Sequence, residues 1–572
     1  MKLLLKILLF LIFAGSALPG AAQNRYDIVI DEIMADPTPQ IGLPNSEWVE
    51  LRNTTGSVIN LNGWRLGDAS GVSGPMPTFN LQPDSCVVIC TASAFACLAV
   101  FGSTISVTSF PSLDNNGEQL FLRAPNSRTI HAVEYSINWY QNAVKSDGGF
   151  TLEMIDTKNP CSGASNWKAS TDAKGGTPAK INSINGVNKD NLGPRLLRGF
   201  ATDPFNFTLV FDEPLDSLKA ATAANYSISD GVGAPVSAVA VAPAFNRVSL
   251  RVTSALVINK VYTVTASNLS DCAGNTMSGI NTRKFGLASV ADSFDVVINE
   301  LLFNPKPNGV DYVELYNRST KIIDLKNMIL ANRSSSGVIG SLKNLNADNY
   351  LLFPGEYIVA TEDAAIIKSQ YLAKNPDAFT EISSMPSYPD DKGNVVLLNN
   401  AGLIIDELKY NAKWHFALID NEEGISLERI DFGKPANNAD NWSSAASTVG
   451  YGTPTYQNSQ YRADLQPQGD IKITPEIFSP DNDGFDDFAF INFNFPEPGY
   501  VANITIYDGA GRAIRVLQKN ATTAAKGSFR WDGLNDKQSK VPIGIYVVHT
   551  EIFNLKGQKK NFRNTVVVAR KF

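Results

Sequence analysis

Four carboxylates crowd into one short loop near the end of the chain. Asp481, Asp483, Asp486 and Asp487 lie in the run Asp481-Asn482-Asp483-Gly484-Phe485-Asp486-Asp487. Calcium takes several hard oxygens from a sharply turning backbone, and Asp-x-Asp-Gly offers both. The loop is no EF-hand, because position twelve counted from Asp481 is Asn492, where a bidentate Glu belongs. The competing reading is a solvated turn whose Asp and Asn side chains cap backbone amides. A second set of carboxylates is Glu32 and Glu50, echoed further on by Glu300 and Glu314, each in an otherwise apolar run. Such a pair, about 5–10 Å apart, could do acid–base work on a glycosidic bond. The favoured reading is structural: each accepts hydrogen bonds at the rim of a sandwich, as a buried carboxylate must. Trp64, Trp139, Trp167, Trp414, Trp442 and Trp531 could line a carbohydrate platform, yet the recurrence of Trp139 and Trp167 as Trp414 and Trp442 favours core.

Other chemistry finds little material. The 572 residues include three histidines, His131, His415 and His549, too few for a multi-His metal site. There is no Gly-x-Ser-x-Gly elbow, no His-Glu-x-x-His and no phosphate-binding glycine loop. A net charge of −7 argues against nucleic acid, whose phosphates require a concentrated basic surface. The expectation is therefore a protein that is not an enzyme and carries no cofactor, calcium at the acidic loop aside. Of five cysteines, Cys86, Cys90, Cys97 and Cys161 fall in one region, and at least one disulfide is expected among them. Cys272, in the turn-like Asp271-Cys272-Ala273-Gly274-Asn275, reads as a small structural residue.

A long internal repeat positions these residues. Ile30-Asp31-Glu32-Ile33-Met34 is echoed by Ile298-Asn299-Glu300-Leu301-Leu302, and Trp48-Val49-Glu50-Leu51 by Tyr312-Val313-Glu314-Leu315. Leu152-Glu153, Asn166-Trp167 and Gly176-Thr177-Pro178 return as Leu427-Glu428, Asn441-Trp442 and Gly452-Thr453-Pro454. So long an ordered series means one fold used twice, with the Glu32 and Glu50 strands pairing as those of Glu300 and Glu314 do. Within each copy, short apolar or alternating runs are separated by Asn, Gly, Asp and Pro, the pattern of a β-sandwich. Residues 364–372 are the best helical candidate.

The region between the copies, and the last hundred residues, read as two further small β domains. Lys2 and Lys6, an apolar run over residues 7–14 and the small residues Gly20-Ala21-Ala22 have the form of a secretory signal peptide. No stretch reaches the roughly 20 apolar residues of a spanning helix.

The duplicated domain resembles the bacterial lamin-tail domain, on Ile30 to Glu32, Trp48 to Asn53 and Leu61-Asn62-Gly63-Trp64. The second copy matches on Ile298 to Glu300, Val313 to Asn317 and Leu325, with Asn327-Met328 in place of Gly-Trp. That resemblance implies an Ig-like sandwich for recognition or scaffolding, with no catalytic residues. The middle region is similar to the Ig-like domain of bacterial surface proteins, on Phe211-Asp212-Glu213-Pro214-Leu215 and Asp271 to Asn275. The last resembles the carboxyl-terminal Ig-like domains of type IX secretion cargo and gliding-motility proteins. Phe478-Ser479-Pro480, Asp483-Gly484, Trp531-Asp532-Gly533 and Gly544-Ile545-Tyr546 carry that likeness.

The resulting expectation is all-β, a tandem of Ig-like β-sandwich domains. A signal peptide over 1–22 precedes a lamin-tail-like domain over 24–185, an Ig-like domain over 194–287, a second lamin-tail-like domain over 294–460 and a sorting domain over 470–572. The implied protein is secreted, sits at the outer cell surface and is structural or adhesive. Its partners are an extracellular protein or polysaccharide and the outer-membrane export machinery. The alternatives are a glycan-binding accessory protein and a non-catalytic partner of a secreted hydrolase.

Overall fold

The strand Ile28–Met34 is buried along its whole length, and so is Trp48–Asn53 beside it. Burial on both faces explains why these runs are almost continuously apolar instead of alternating. They form the centre of a six-stranded sheet in the order 167–169, 152–154, 28–34, 48–53, 86–90, 104–106. In this computed structural model the described residues are 23–279, 281–416, 419–461, 470–483, 485–555, 557 and 559–570. The segment 1–22, read above as a signal peptide, lies outside them.

The described chain is nearly all β and falls into two units. The first runs to residue 256 and includes 262–285; the second holds 257–261 and everything from 286. In the first unit, the six-stranded sheet packs on a three-stranded sheet of 65–67, 119–123 and 129–134. Trp64, Leu66, Leu122 and Trp167 lie in the core between them. A separate sandwich follows, with 196–201, 206–211, 247–251 and 237–240 in one sheet and 226–228, 262–266 and 282–285 in the other. Phe207, Phe211 and Phe285 fill its core.

The second unit repeats the first six-stranded order, as 379–381, 357–361, 312–317, 296–302, 427–429, 442–444. The agreement extends to detail. Each outermost strand on one side, 104–106 or 379–381, joins its neighbour in parallel, while every other pairing in these sheets is antiparallel. The expected helix forms over Ala364–Gln370, its first turn capped by Asp363. The carboxyl-terminal sandwich pairs 470–474, 489–494 and 526–531 in one sheet and five strands, 477–478, 559–568, 544–553, 500–508 and 513–523, in the other.

One irregularity shapes the interior of both copies. Pairing slips between Ile30 and Glu32, and again between Ile298 and Glu300. A bulge of this kind re-aims side chains and interrupts the ladder. Ile30 and Ile33, three residues apart, therefore both reach the core. The Ile30 amide donates to His131 Nδ1 (2.9 Å), and the Ile298 amide to Asp406 Oδ2 (2.9 Å).

Candidate functional site

Register places the duplicated glutamates side by side. Glu32 lies opposite Glu50 on one neighbouring strand and opposite Glu153 on the other. Glu300 is flanked in the same way by Glu314 and Glu428. Each row is a line of three carboxylates across three adjacent strands, and all six are 0% exposed. The sequence reading placed Glu32 and Glu50 at a sandwich rim and noticed Glu153 only as part of an echo. They lie instead in mid-sheet, away from any solvent-borne substrate, which removes the acid–base reading.

The rows hold a crossing segment. Thr177 N–H donates to Glu32 Oε1 (2.7 Å), and Thr177 Oγ1 reaches Glu153 Oε1 (3.0 Å). Ala179 N–H donates to Glu50 Oε2, and Ser183 Oγ and Ile184 N–H to Glu153 Oε2 (2.8 and 3.1 Å). Thr453 repeats the role of Thr177 toward Glu300 and Glu428, at 2.9 and 2.8 Å, and Thr455 that of Ala179 toward Glu314. Residues 176–184 and 452–460 thus form a strap tied down by carboxylates. Burial pushes Glu32 up to about 8, with Glu153 adding to the shift, and does the same to Glu428, with Glu300 adding. Burial and the adjacent row member also raise Glu50 and Glu314 well above the usual carboxylate range.

In the first unit, Cys161 and Cys272 form a disulfide with Cα atoms 6.1 Å apart. This corrects the expected pairing: Cys86, Cys90 and Cys97 are free thiols, and Cys272, read as a lone structural residue, is the partner of Cys161. The bond joins the first sandwich to the Ig-like one. Arg25 adds to the junction, donating to the Leu215 carbonyl (3.0 Å) with its guanidinium 3.9 Å from the Phe245 ring centroid. The connecting segment is stapled down, with Asn188 N–H on Asp156 Oδ2 (3.0 Å) and Ser162 Oγ on Asp190 Oδ2 (3.0 Å).

The same junction gathers Asp190, Glu213 and Asp271, with one oxygen from each within 4.8 Å of the others. Burial pushes Glu213 up to about 8, with Asp190 and Asp271 adding to it. Beside it lies a cleft of about 480 Å³ whose lining includes Trp139, Tyr135, Glu118, Glu134, Glu213 and Asn246. Nothing in the sequence brought these residues together, because they come from two domains.

The acidic loop of the last domain also forms a carboxylate group, from Asp481, Asp483 and Asp487. Asp486 stands outside it, with a left-handed backbone at φ 50°. Asp483 Oδ1 accepts from Phe485 N–H (2.9 Å), and Asp487 Oδ1 from Asn482 N–H, the capping expected of a turn. Of the tryptophans, Trp64, Trp167, Trp442 and Trp531 are at most 4% exposed and are core residues. Trp139 and Trp414 pack against the cores from the edge.

Residues 21–136 and 289–412 match the family model of the Lamin Tail Domain. The chain carries two lamin-tail domains. Residues 185–286, following the first of them, match the model of the bacterial Ig-like domain. The matched lamin-tail stretches end before Glu153 and Glu428, so the third carboxylate of each row and the strap lie beyond them. No curated protein matches the chain. Among solved structures, the amino-terminal part of the bacterial S-layer protein SbsC aligns at 16% identity, covering 38% of this chain and 44% of its own, with a TM-score of 0.16. A DUF4876 family protein from Bacteroides thetaiotaomicron aligns at 14% identity over 38% of this chain and 84% of its own, with a TM-score of 0.18. Dimeric latent PorU from Porphyromonas gingivalis aligns at 9% identity over 71% and 35%, with a TM-score of 0.15. The chain spans about half the length of the S-layer structures it matches, 44% of one and 54% of another.

Proposed function

We propose that this protein is a secreted, cell-surface structural or adhesive protein whose lamin-tail and Ig-like domains present binding surfaces to an extracellular protein or polysaccharide. The observation that carries this reading is the disulfide between two neighbouring β domains. A covalent tie between folded modules suits an oxidising, extracellular setting. The lamin-tail carboxylates, the strongest catalytic candidates in the sequence, are engaged in holding each domain's own backbone. Among the described residues no helix is long and apolar enough to cross a membrane.

The carboxyl-terminal domain directs export by a type IX-like route. Support comes from its resemblance to such cargo domains and from its own separate core around Phe478, Phe493 and Trp531. The test is fractionation and surface proteolysis of cells expressing the chain with and without residues 470–572. Full-length protein should be surface-exposed and the truncated chain retained in the periplasm. Normal surface display of the truncated chain would remove the export role.

A second reading, a glycan-binding accessory protein, is favoured by the cleft beside Trp139. An aromatic edge with carboxylate and amide groups suits the apolar face and hydroxyls of a neutral sugar, and about 480 Å³ falls within the range of ligand sites. Glycan-array binding that Trp139→Ala abolishes would establish it.

A further inference from the structure

The two lamin-tail domains differ at one buried position beside the carboxylate rows, and the difference removes a hydrogen-bond donor. In the second domain Asn299 Nδ2 donates to Glu314 Oε1 (2.7 Å) and to Asn458 Oδ1 (2.6 Å). The first domain has Asp31 at that place on the same bulge, 1% exposed. Asn182 occupies the place of Asn458. Its Nδ2 donates to the Asp31 and Met154 carbonyls, as that of Asn458 does to Asn299 and Arg429. A carboxylate brings no hydrogen. Asp31 Oδ1 and Oδ2, Glu50 Oε1 and Asn182 Oδ1 are accordingly buried without a hydrogen-bond partner, where the second domain leaves only Asn299 Oδ1 among the corresponding atoms.

Buried acceptors facing one another are costly until something supplies a hydrogen or a cation. The nearby cation is Arg52, whose Nη1 stands 3.6 Å from Asp31 Oδ2, beyond hydrogen-bond reach. Its Nη2 pairs with Asp84 at 3.0 Å. The other titratable neighbours, Glu32, Glu153, Asp84 and Cys86, are all acids, and the single hydrogen of the Cys86 thiol, which lies beside Glu50, is given to the strap. Lys180 on the strap is exposed and contributes only its carbonyl, to the Cys86 thiol (3.4 Å).

We propose that the first lamin-tail domain holds a proton between Asp31 and Glu50, where the second uses the Asn299 amide, and that this proton adds a pH-dependent latch on the strap over residues 176–184 that the second domain lacks. A protonated Asp31 is the isostere of Asn299 and restores the missing donor. Once the proton leaves, two adjacent buried carboxylates repel, and Glu50 is the group that accepts from Ala179 N–H on the strap. Burial pushes Asp31 up to about 7, against the pull of Arg52. The folded domain therefore binds this proton more tightly than the unfolded chain. Closure is complete below the ordinary carboxylate range and fades as pH rises through about 7.

Hydrogen exchange by mass spectrometry on the full chain, between pH 5.5 and 8.5 and corrected for intrinsic rates, tests the latch. Relative to those over 452–460, peptides over 176–184 should open about tenfold more per pH unit as pH rises toward 7, and the excess should level off above it. Asp31→Asn should abolish that excess, and Asn299→Asp should transfer it to residues 452–460. Parallel behaviour of the two straps in the wild type, or an excess that survives Asp31→Asn, would overturn the proposal. Should Asp31→Asn fail to fold, Asn299→Asp decides, and an unchanged pH response at 452–460 counts against the latch. Protection restored at pH 8.5 by calcium chloride or sodium chloride in the wild type, but not in Asp31→Asn, would assign the site to a cation and overturn the proton.

Discussion

Three carboxylates can lie side by side in a dry sheet only if most of them keep their protons, and that requirement sets how these domains respond to pH. Glu32 and Glu428 are raised to about 8, and Glu50, Glu300 and Glu314 are raised as well, chiefly by burial. Each binds its proton more tightly in the folded state. That stability is full below the unfolded carboxylate value and is lost as pH climbs, for Glu32 and Glu428 through about 8. His131 and His415 work in the opposite direction, because burial depresses both to about 4. Their contribution is present above the unfolded histidine value and fades as pH falls through about 4. Thermal melting should therefore peak at mildly acidic pH and decline toward pH 8.5, which scanning fluorimetry across a buffer series would read directly. Melting that rises steadily from pH 5 to 8.5 would contradict protonated carboxylate rows. Glu32→Ala should cost about 2–4 kcal/mol, since it leaves Thr177 N–H and Thr151 Oγ1 without their acceptor. Glu32→Gln keeps an oxygen there, and should fall within about 1 kcal/mol of wild type at pH 6 and exceed it at pH 8.5.

At the scale of elements, the bulge and the strap form one device. The bulge brings Asp31 or Asn299 beside its row, and the strap returns from the far end of the domain to close over it. Asn182→Ala and Asn458→Ala each remove two donations to main-chain carbonyls, one on the bulged strand and one on its neighbour. Each should lower the stability of its own domain by about 2–3 kcal/mol, as chemical denaturation of the single variants would measure. The repeat and its strands were legible because an acid inside an apolar run is conspicuous, and its return in the same order is more so. The third carboxylate was half legible: Leu152-Glu153 and Leu427-Glu428 marked the position, but strand order is what sets it beside Glu32 or Glu300. The exchange of Asp31 for Asn299 passed as an ordinary mismatch, since its meaning depends on a donor counted only once Glu314 and Asn458 are in place. The Asp190, Glu213 and Asp271 group left no trace in the sequence, because docking of two domains creates it.

At the scale of the molecule, separate cores predict separable domains. The carboxyl-terminal sandwich has its own core, and its hydrogen bonds to Ser447, at 3.4 Å, are long ones. Deletion from residue 470 should leave the calorimetric melting of the remaining domains unchanged; a lowered transition would show that they lean on it. Peptide mapping of oxidised protein should recover Cys161 linked to Cys272, with Cys86, Cys90 and Cys97 alkylated as free thiols. Closing a loop of 111 residues contributes up to about 4–5 kcal/mol in the chain-entropy view, so reduction should destabilise the first unit selectively. The same bond has a mechanical consequence. A protein held at one end and tugged at the other lengthens by unravelling, and a crosslink removes whatever chain it encloses from the pulling path. Here the enclosed stretch spans 111 residues, about 370–400 Å when fully drawn out, and it includes the last strand of the first lamin-tail domain and most of the Ig-like domain. In single-molecule pulling, oxidised protein should fall short of its full contour by that length and recover it when a reductant is added, so the thiol state of two cysteines sets how far the protein can stretch.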